Sequence, residues 1–110
     1  MGMDLIPVRP SKDAPRYPKN FFYKPYRGQP TPARYDWGGW SLITGLLVKW
    51  GVKLEGFSGM NDGEIIKAAK CREVADAIEK HLDDPDVAEH KEWLKEDIIL
   101  WRTCGGYRQY

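Results

Sequence analysis

Residues 61–106, NDGEIIKAAKCREVADAIEKHLDDPDVAEHKEWLKEDIILWRTCGG, decide the fold class. Ile65, Ala68, Cys71, Ala75, Ile78 and Leu82 recur at spacings of three and four, which places them in one stripe along an α-helix. The spacing predicts an amphipathic helix over residues 63–82, with room for a break near Lys70, and Ser58, Asn61 and Asp62 are its candidate caps. Asp84-Pro85 then sets a capping side chain before a proline suited to a first helical turn. Val87, Leu94, Ile98 and Trp101 mark the inner face of the helix that follows. Only residues 83–85 join the two helices, so they are expected to lie antiparallel. Gly105-Gly106 stops the second one before Tyr107–Tyr110, a candidate closing strand.

Upstream, Trp40, Ile43, Leu47 and Trp50 share one face of a helix over residues 41–50, which Gly51 ends. Val52–Phe57 alternates well enough for a short strand, as does Met3–Val8, where Pro7 lacks a ladder donor and belongs at a sheet edge or a strand end. Between Arg9 and Pro32 the prolines recur too often for helix or central strand, and Phe21-Phe22-Tyr23 is the one strand candidate. The expected fold is α+β: three main helices, two or three short strands and an extended proline-rich N-terminal arm. Residues 1–110 form one domain in this reading, with 1–35 the arm and 36–110 the helical body. Trp40, Leu47, Trp50, Ile78, Leu94, Ile98 and Trp101 are the expected core.

The chain has 110 residues, 42% hydrophobic and 30% charged, enough for a core that needs neither disulfides nor a structural metal. The longest apolar run, Leu42–Val48, is far shorter than a bilayer span of about 20 residues, so no membrane segment is expected. No basic region precedes an apolar stretch at the amino terminus, and a cytoplasmic location follows as the expectation. Cys71 and Cys104 are read as reduced thiols.

A formal net charge of +1 conceals a division. Residues 1–35 carry seven Lys or Arg against Asp4 and Asp13, a net of +5, together with seven of the eight prolines. Residues 61–103 carry seven Lys or Arg against twelve Asp or Glu, a net of −5. Either the arm lies along the acidic helices, or the two surfaces meet different partners.

No catalytic signature is present. Gly56-Phe57-Ser58-Gly59-Met60 departs from the G-x-S-x-G nucleophile elbow at its last position, and Ser58 is better read as a turn or cap residue. A cysteine–histidine pair can be built only from Cys71 or Cys104 with His81 or His90. The same four residues are the candidate zinc ligands. Ten positions on a helix separate Cys71 from His81, about 15 Å of rise and about 80° out of register, so one ion cannot hold both. His81 with His90 across the tight turn remains open as a metal pair, with two solvent-facing histidines the plainer account; no metal and no cofactor are expected, and a small metal- or cysteine-dependent enzyme is the most distant reading.

Two surfaces remain. Lys19, Tyr23, Lys24, Tyr26, Arg27 and Arg34 interleave cations with flat rings, a pattern suited to phosphates and stacked bases. Against that stands the expectation that Phe21, Phe22, Tyr23 and Tyr26 dock on the helices and pin the arm down. Asp86, Glu89, Glu92, Trp93 and Glu96 offer an acidic surface with an aromatic anchor for a basic protein partner.

The chain also resembles a family of small bacteriophage and prophage proteins. The resemblance lies in Met1-Gly2-Met3-Asp4, in the tryptophan-rich helix start Trp37-Gly38-Gly39-Trp40, in Asn61-Asp62-Gly63, and in the closing Gly105-Gly106-Tyr107-Arg108. Asp36-Trp37-Gly38-Gly39-Trp40 stands where those proteins carry Trp-Trp-Trp-Arg-Pro. The resemblance implies viral origin and supplies no activity. Together these readings lead to an expected phage accessory protein that binds without catalysing. Its partner would be a host protein, for instance a defence component, with nucleic acid bound by the arm as the alternative.

Overall fold

The computed structural model describes residues 2–110; Met1, which opens the Met-Gly-Met-Asp motif, lies outside them. In chain order run β1 (Gly2–Pro7), β2 (Ala33–Asp36), α1 (Trp37–Lys49), β3 (Ile65–Ile66), α2 (Ala68–Lys80), α3 (Lys91–Thr103) and β4 (Tyr107–Gln109). Short 3-10 turns occupy Lys24–Tyr26 and Pro85–His90. The fold is α+β, with three helices against a four-stranded antiparallel sheet in the order β2-β1-β4-β3. Pro7 closes β1 opposite Tyr107, at the strand end where a missing N–H breaks no ladder.

Strand alternation turns Met3, Leu5, Ala33, Tyr35, Ile66, Tyr107 and Gln109 inward. They meet Trp40, Ile43 and Leu47 of α1, Val74 and Ile78 of α2, and Leu94, Ile98 and Trp101 of α3. Six of the seven expected core residues are buried. Trp50 is half-buried at the margin, stacked on His81 at 4.6 Å between ring centroids. The sheet also takes in both ends of the 1–35 segment, so the stretch outside its strands is residues 8–32.

α1 begins four residues before Ser41, because Asp36 caps it by accepting from the Gly39 N–H at 2.6 Å. It ends as expected: Gly51 takes a φ of 80°, and the Val52 N–H reaches back to the Leu47 carbonyl at 2.9 Å.

The region before α2 differs from its sequence reading. Val52–Phe57 is loop, and the strand is Ile65–Ile66, with Ile66 buried and Ile65 exposed. Gly56 interrupts the alternation at a φ of 85°, and a Cβ there would lie 3.0 Å from the Ile65 carbonyl oxygen. α2 therefore starts at Ala68 instead of residue 63, and Ser58, Asn61 and Asp62 do not cap it. Asp62 accepts from the Ser58 hydroxyl at 2.9 Å and the Glu64 N–H at 3.1 Å, while Asn61 donates to the Gly2 carbonyl at 2.8 Å. Gln109, fully buried, holds the same loop by donating to the Gly56 carbonyl at 2.8 Å and accepting from the Ser58 N–H at 3.1 Å.

Asp84-Pro85 starts a 3-10 turn, with Asp84 accepting from the Asp86 N–H at 2.9 Å, and the α-helix follows only from Lys91. α2 and α3 pack as an antiparallel hairpin, which brings Cys71 in the first turn of α2 beside Cys104 just past α3. Both cysteines are buried and free.

The arm departs most from expectation. Backbone bonds from Val8 to Gly106 and from Ser11 to Thr103 fix its base. It then closes on itself, with the Tyr17 N–H donating to Gln29 at 3.0 Å and the Thr31 N–H to Pro15 at 2.9 Å. Phe21–Tyr23 forms no strand. Nor do the aromatics dock on the helices: Tyr17 and Phe21 (4.7 Å), Phe21 and Phe22 (4.6 Å) and Tyr23 and Tyr26 (4.8 Å) pack ring against ring within the loop. Phe22 stays 86% exposed, Tyr23 50% and Tyr26 39%. Rings close in sequence, on a backbone stiffened by proline, find each other at a smaller entropic cost than a distant helix surface.

Candidate functional site

β2 hands the chain to α1 through Asp36, and α3 crosses this junction, leaving an open cleft of about 640 Å³. Arg34, Asp36, His90, Trp93, Glu96 and Asp97 supply its polar lining, with Leu42 and Leu100 as apolar wall. Asp36 is engaged in capping α1, and the Arg34 guanidinium stands 3.9 Å from Asp4 on the neighbouring strand. The Trp93 indole N–H donates to His90 Nδ1 at 3.3 Å, which orients both rings at the cleft margin.

Asp97 lines this cleft and is only 8% exposed. Its Oδ2 accepts from the Tyr35 hydroxyl at 2.5 Å, and the Tyr35 oxygen in turn accepts from the Trp101 indole N–H at 2.9 Å. Oδ1 receives no hydrogen bond from any described residue. Burial pushes the carboxyl up to about 6, the hydrogen bond from Tyr35 opposes this, and the neighbouring Glu96 charge adds to it. Burial, then the Asp97 charge, holds the Tyr35 phenol well above its ordinary value. A carboxylate poised in this way can accept a cation or exchange a proton near neutrality.

Of the acidic-face residues read from the sequence, the structure brings Trp93 and Glu96 to this cleft. Glu89 and Glu92 are exposed nearby in sequence and form no ion pair with a described residue. Asp86 does not join them, because Lys49 pairs with it and, at 3.4 Å, with Asp84. Arg102 likewise engages Asp76 at 2.7 Å and Glu79 at 3.2 Å. Asp97 is not among the site residues read from the sequence. Its spacing of three from Leu94 and four from Trp101 puts it in the inward register, a signal that was there to be used.

The arm residues Lys19, Tyr23, Lys24, Tyr26 and Arg27 are all exposed and share one loop. Arg34 is apart from them, on β2. Lys19, Lys24 and Arg27 have no carboxylate partner among the described residues; Arg27 donates through Nε to the Phe21 carbonyl at 2.6 Å and braces the loop. No described ion pair joins residues 1–35 to residues 61–103, so the basic arm is not neutralised by the acidic helices.

The histidines and cysteines are not brought together. His81 stacks on Trp50, His90 bonds Trp93, and contact with Cys104 and burial push the Cys71 thiol up. Among the described residues no three of His, Cys, Asp and Glu gather as metal ligands, and no helix is long and apolar enough to cross a membrane. Compared with family models, curated proteins and solved structures, the chain matches none.

Proposed function

We propose that the protein acts by binding, without catalysis, and that its arm loop engages single-stranded nucleic acid. The observation that carries this reading is the undocked aromatic cluster: Phe22, Tyr23 and Tyr26 face solvent beside Lys19, Lys24 and Arg27, whose charges no described carboxylate offsets. Rings in water cost free energy unless something covers them, bases stack on them without regard to sequence, and the cations attract the phosphates. On the bacteriophage resemblance, the macromolecule belongs to the host cell.

The test is a fluorescence-anisotropy titration of a labelled single-stranded oligonucleotide. The parent should bind with an affinity that falls steeply with salt, and Phe22→Ala should weaken it by about 1–3 kcal/mol. Lys19→Glu, Lys24→Glu and Arg27→Glu together should abolish it. A parent that binds neither single-stranded DNA nor RNA at low salt would remove the reading.

A second reading is favoured by the cleft. Trp93 and Glu96 border it together with the buried Asp97, which supports a protein partner with a basic segment on this side of α3.

A further inference from the structure

The cleft beside α3 admits a narrower statement than a basic partner, one that rests on the protein-partner reading and specifies the group recognised. Its charge is lopsided. Asp36, Glu96 and Asp97 face Arg34 alone; Asp36 is taken up by the α1 terminus, and Arg34 stands 3.9 Å from Asp4 on the neighbouring strand. His90 Nδ1 accepts from the Trp93 indole N–H. What remains is Glu96 and the Asp97 oxygen that takes no hydrogen bond from a described residue, on a side chain more than nine-tenths buried that lines the cleft. Tyr35 saturates only Oδ2. An aromatic face at Trp93 and aliphatic walls at Leu42 and Leu100 lie along the way in.

We propose that this cleft seats one lysine side chain of a partner protein, with its ammonium paired to Asp97 Oδ1 and Glu96 and its alkyl stem against Leu42, Leu100 and the Trp93 ring. A compact ammonium suits a site offering separate single oxygens, whereas a guanidinium is matched to a two-oxygen fork that Tyr35 has already closed. Trp93 adds a cation–π contact at the margin. The volume, about 640 Å³, is that of a site for a whole small ligand, leaving room for the backbone that carries the lysine. Glu89 and Glu92, exposed and in no ion pair with a described residue, extend the negative surface toward flanking basic residues. A protein segment therefore fits better than a free amine.

Binding should depend on pH through Asp97. The titratable or charged groups around it are Arg34, Tyr35 and Asp36 from the β2 side, His90 and Glu96 from the α3 side, and Tyr107 from β4. Of these, Glu96 favours the proton on Asp97 and an arriving ammonium disfavours it.

The experiment is a titration of the full chain with a blocked, lysine-rich peptide, followed by calorimetry and by the NMR signal of the Trp93 indole N–H. Affinity at about pH 8 should exceed that at about pH 5 by roughly tenfold, because Asp97 is neutral at the lower value. Asp97→Asn, whose amide oxygen can still accept from Tyr35, should bind at about pH 8 as weakly as the acidified parent. The same peptide with acetylated lysines should not bind. Should Asp97→Asn not fold, Glu96→Gln and the parent's pH profile carry the test, with a partial loss expected in the first. Equal binding by Asp97→Asn, or tight binding of the acetylated peptide, would overturn the lysine seat and leave a protein partner standing. Butylammonium binding as well as the peptide would replace the protein segment by a small amine. A chain that binds no lysine peptide at all would remove both the seat and the protein-partner reading.

Discussion

Between Leu94 and Trp101 the apolar face of α3 turns inward, and at Asp97 it presents a carboxylate to the interior. The group is tolerated because Tyr35 supplies one strong hydrogen bond and the cleft leaves the other oxygen a route to solvent. Its titration has a defined sign. The folded value of about 6 lies above that of an unfolded aspartate, so the stability it favours is complete below about pH 4 and is lost as pH rises through about 6. Asp97→Asn should flatten this dependence and gain at most about 3 kcal/mol over the parent at alkaline pH. Urea midpoints measured across that range decide it; parallel curves for the two proteins would show that the carboxyl is not perturbed.

Among the elements, α3 carries the most weight, since Trp101 is fully buried, packs edge-on against Tyr107 at 4.9 Å and donates the hydrogen bond to Tyr35. Trp101→Ala should cost about 3–5 kcal/mol, read as a shift in the urea midpoint, and a variant as stable as its parent would contradict the packing. This helix was legible in the sequence because Leu94, Ile98 and Trp101 keep helical spacing over about two turns, and the same holds for Cys71, Ala75 and Ile78 of α2. β3 was not. Two isoleucines ahead of a helical pattern fit either state locally, and the choice is made by β4, whose Tyr107 and Arg108 pair with them from far along the chain. The Ser58, Asn61 and Asp62 side chains misled for the same reason: good caps are also good loop braces, and Gln109 recruits that loop. Of the site, Trp93 and Glu96 could be named in advance, whereas the cleft depends on α3 crossing the β2–α1 junction, which no local pattern encodes.

Across the described residues no ion pair joins the basic and acidic regions, each closing within its own half or within the body. A basic loop held away from an acidic face can meet one partner without hindering another at the cleft. The loop has its own internal order, which hydrogen exchange can resolve. The amides of Tyr17, Gly28 and Thr31, bonded across the loop, should be protected, and those of Phe22 and Tyr23 should exchange freely. Uniform exchange at unfolded rates from residue 15 to residue 31 would dissolve the hairpin and with it the aromatic platform.

β1 lies between β2 and β4, and this pairing sets an order of events as the chain leaves the ribosome. β2 can cover one side of β1 early, but the other side waits about a hundred residues for Tyr107–Gln109 to emerge. Through that interval a half-finished sheet exposes a bare edge, the kind of surface on which nascent chains stick to one another. On that edge the Asp4 and Val8 N–H groups, which reach Tyr110 and Gly106 in the finished sheet, stay open to any other strand until the end of the chain arrives.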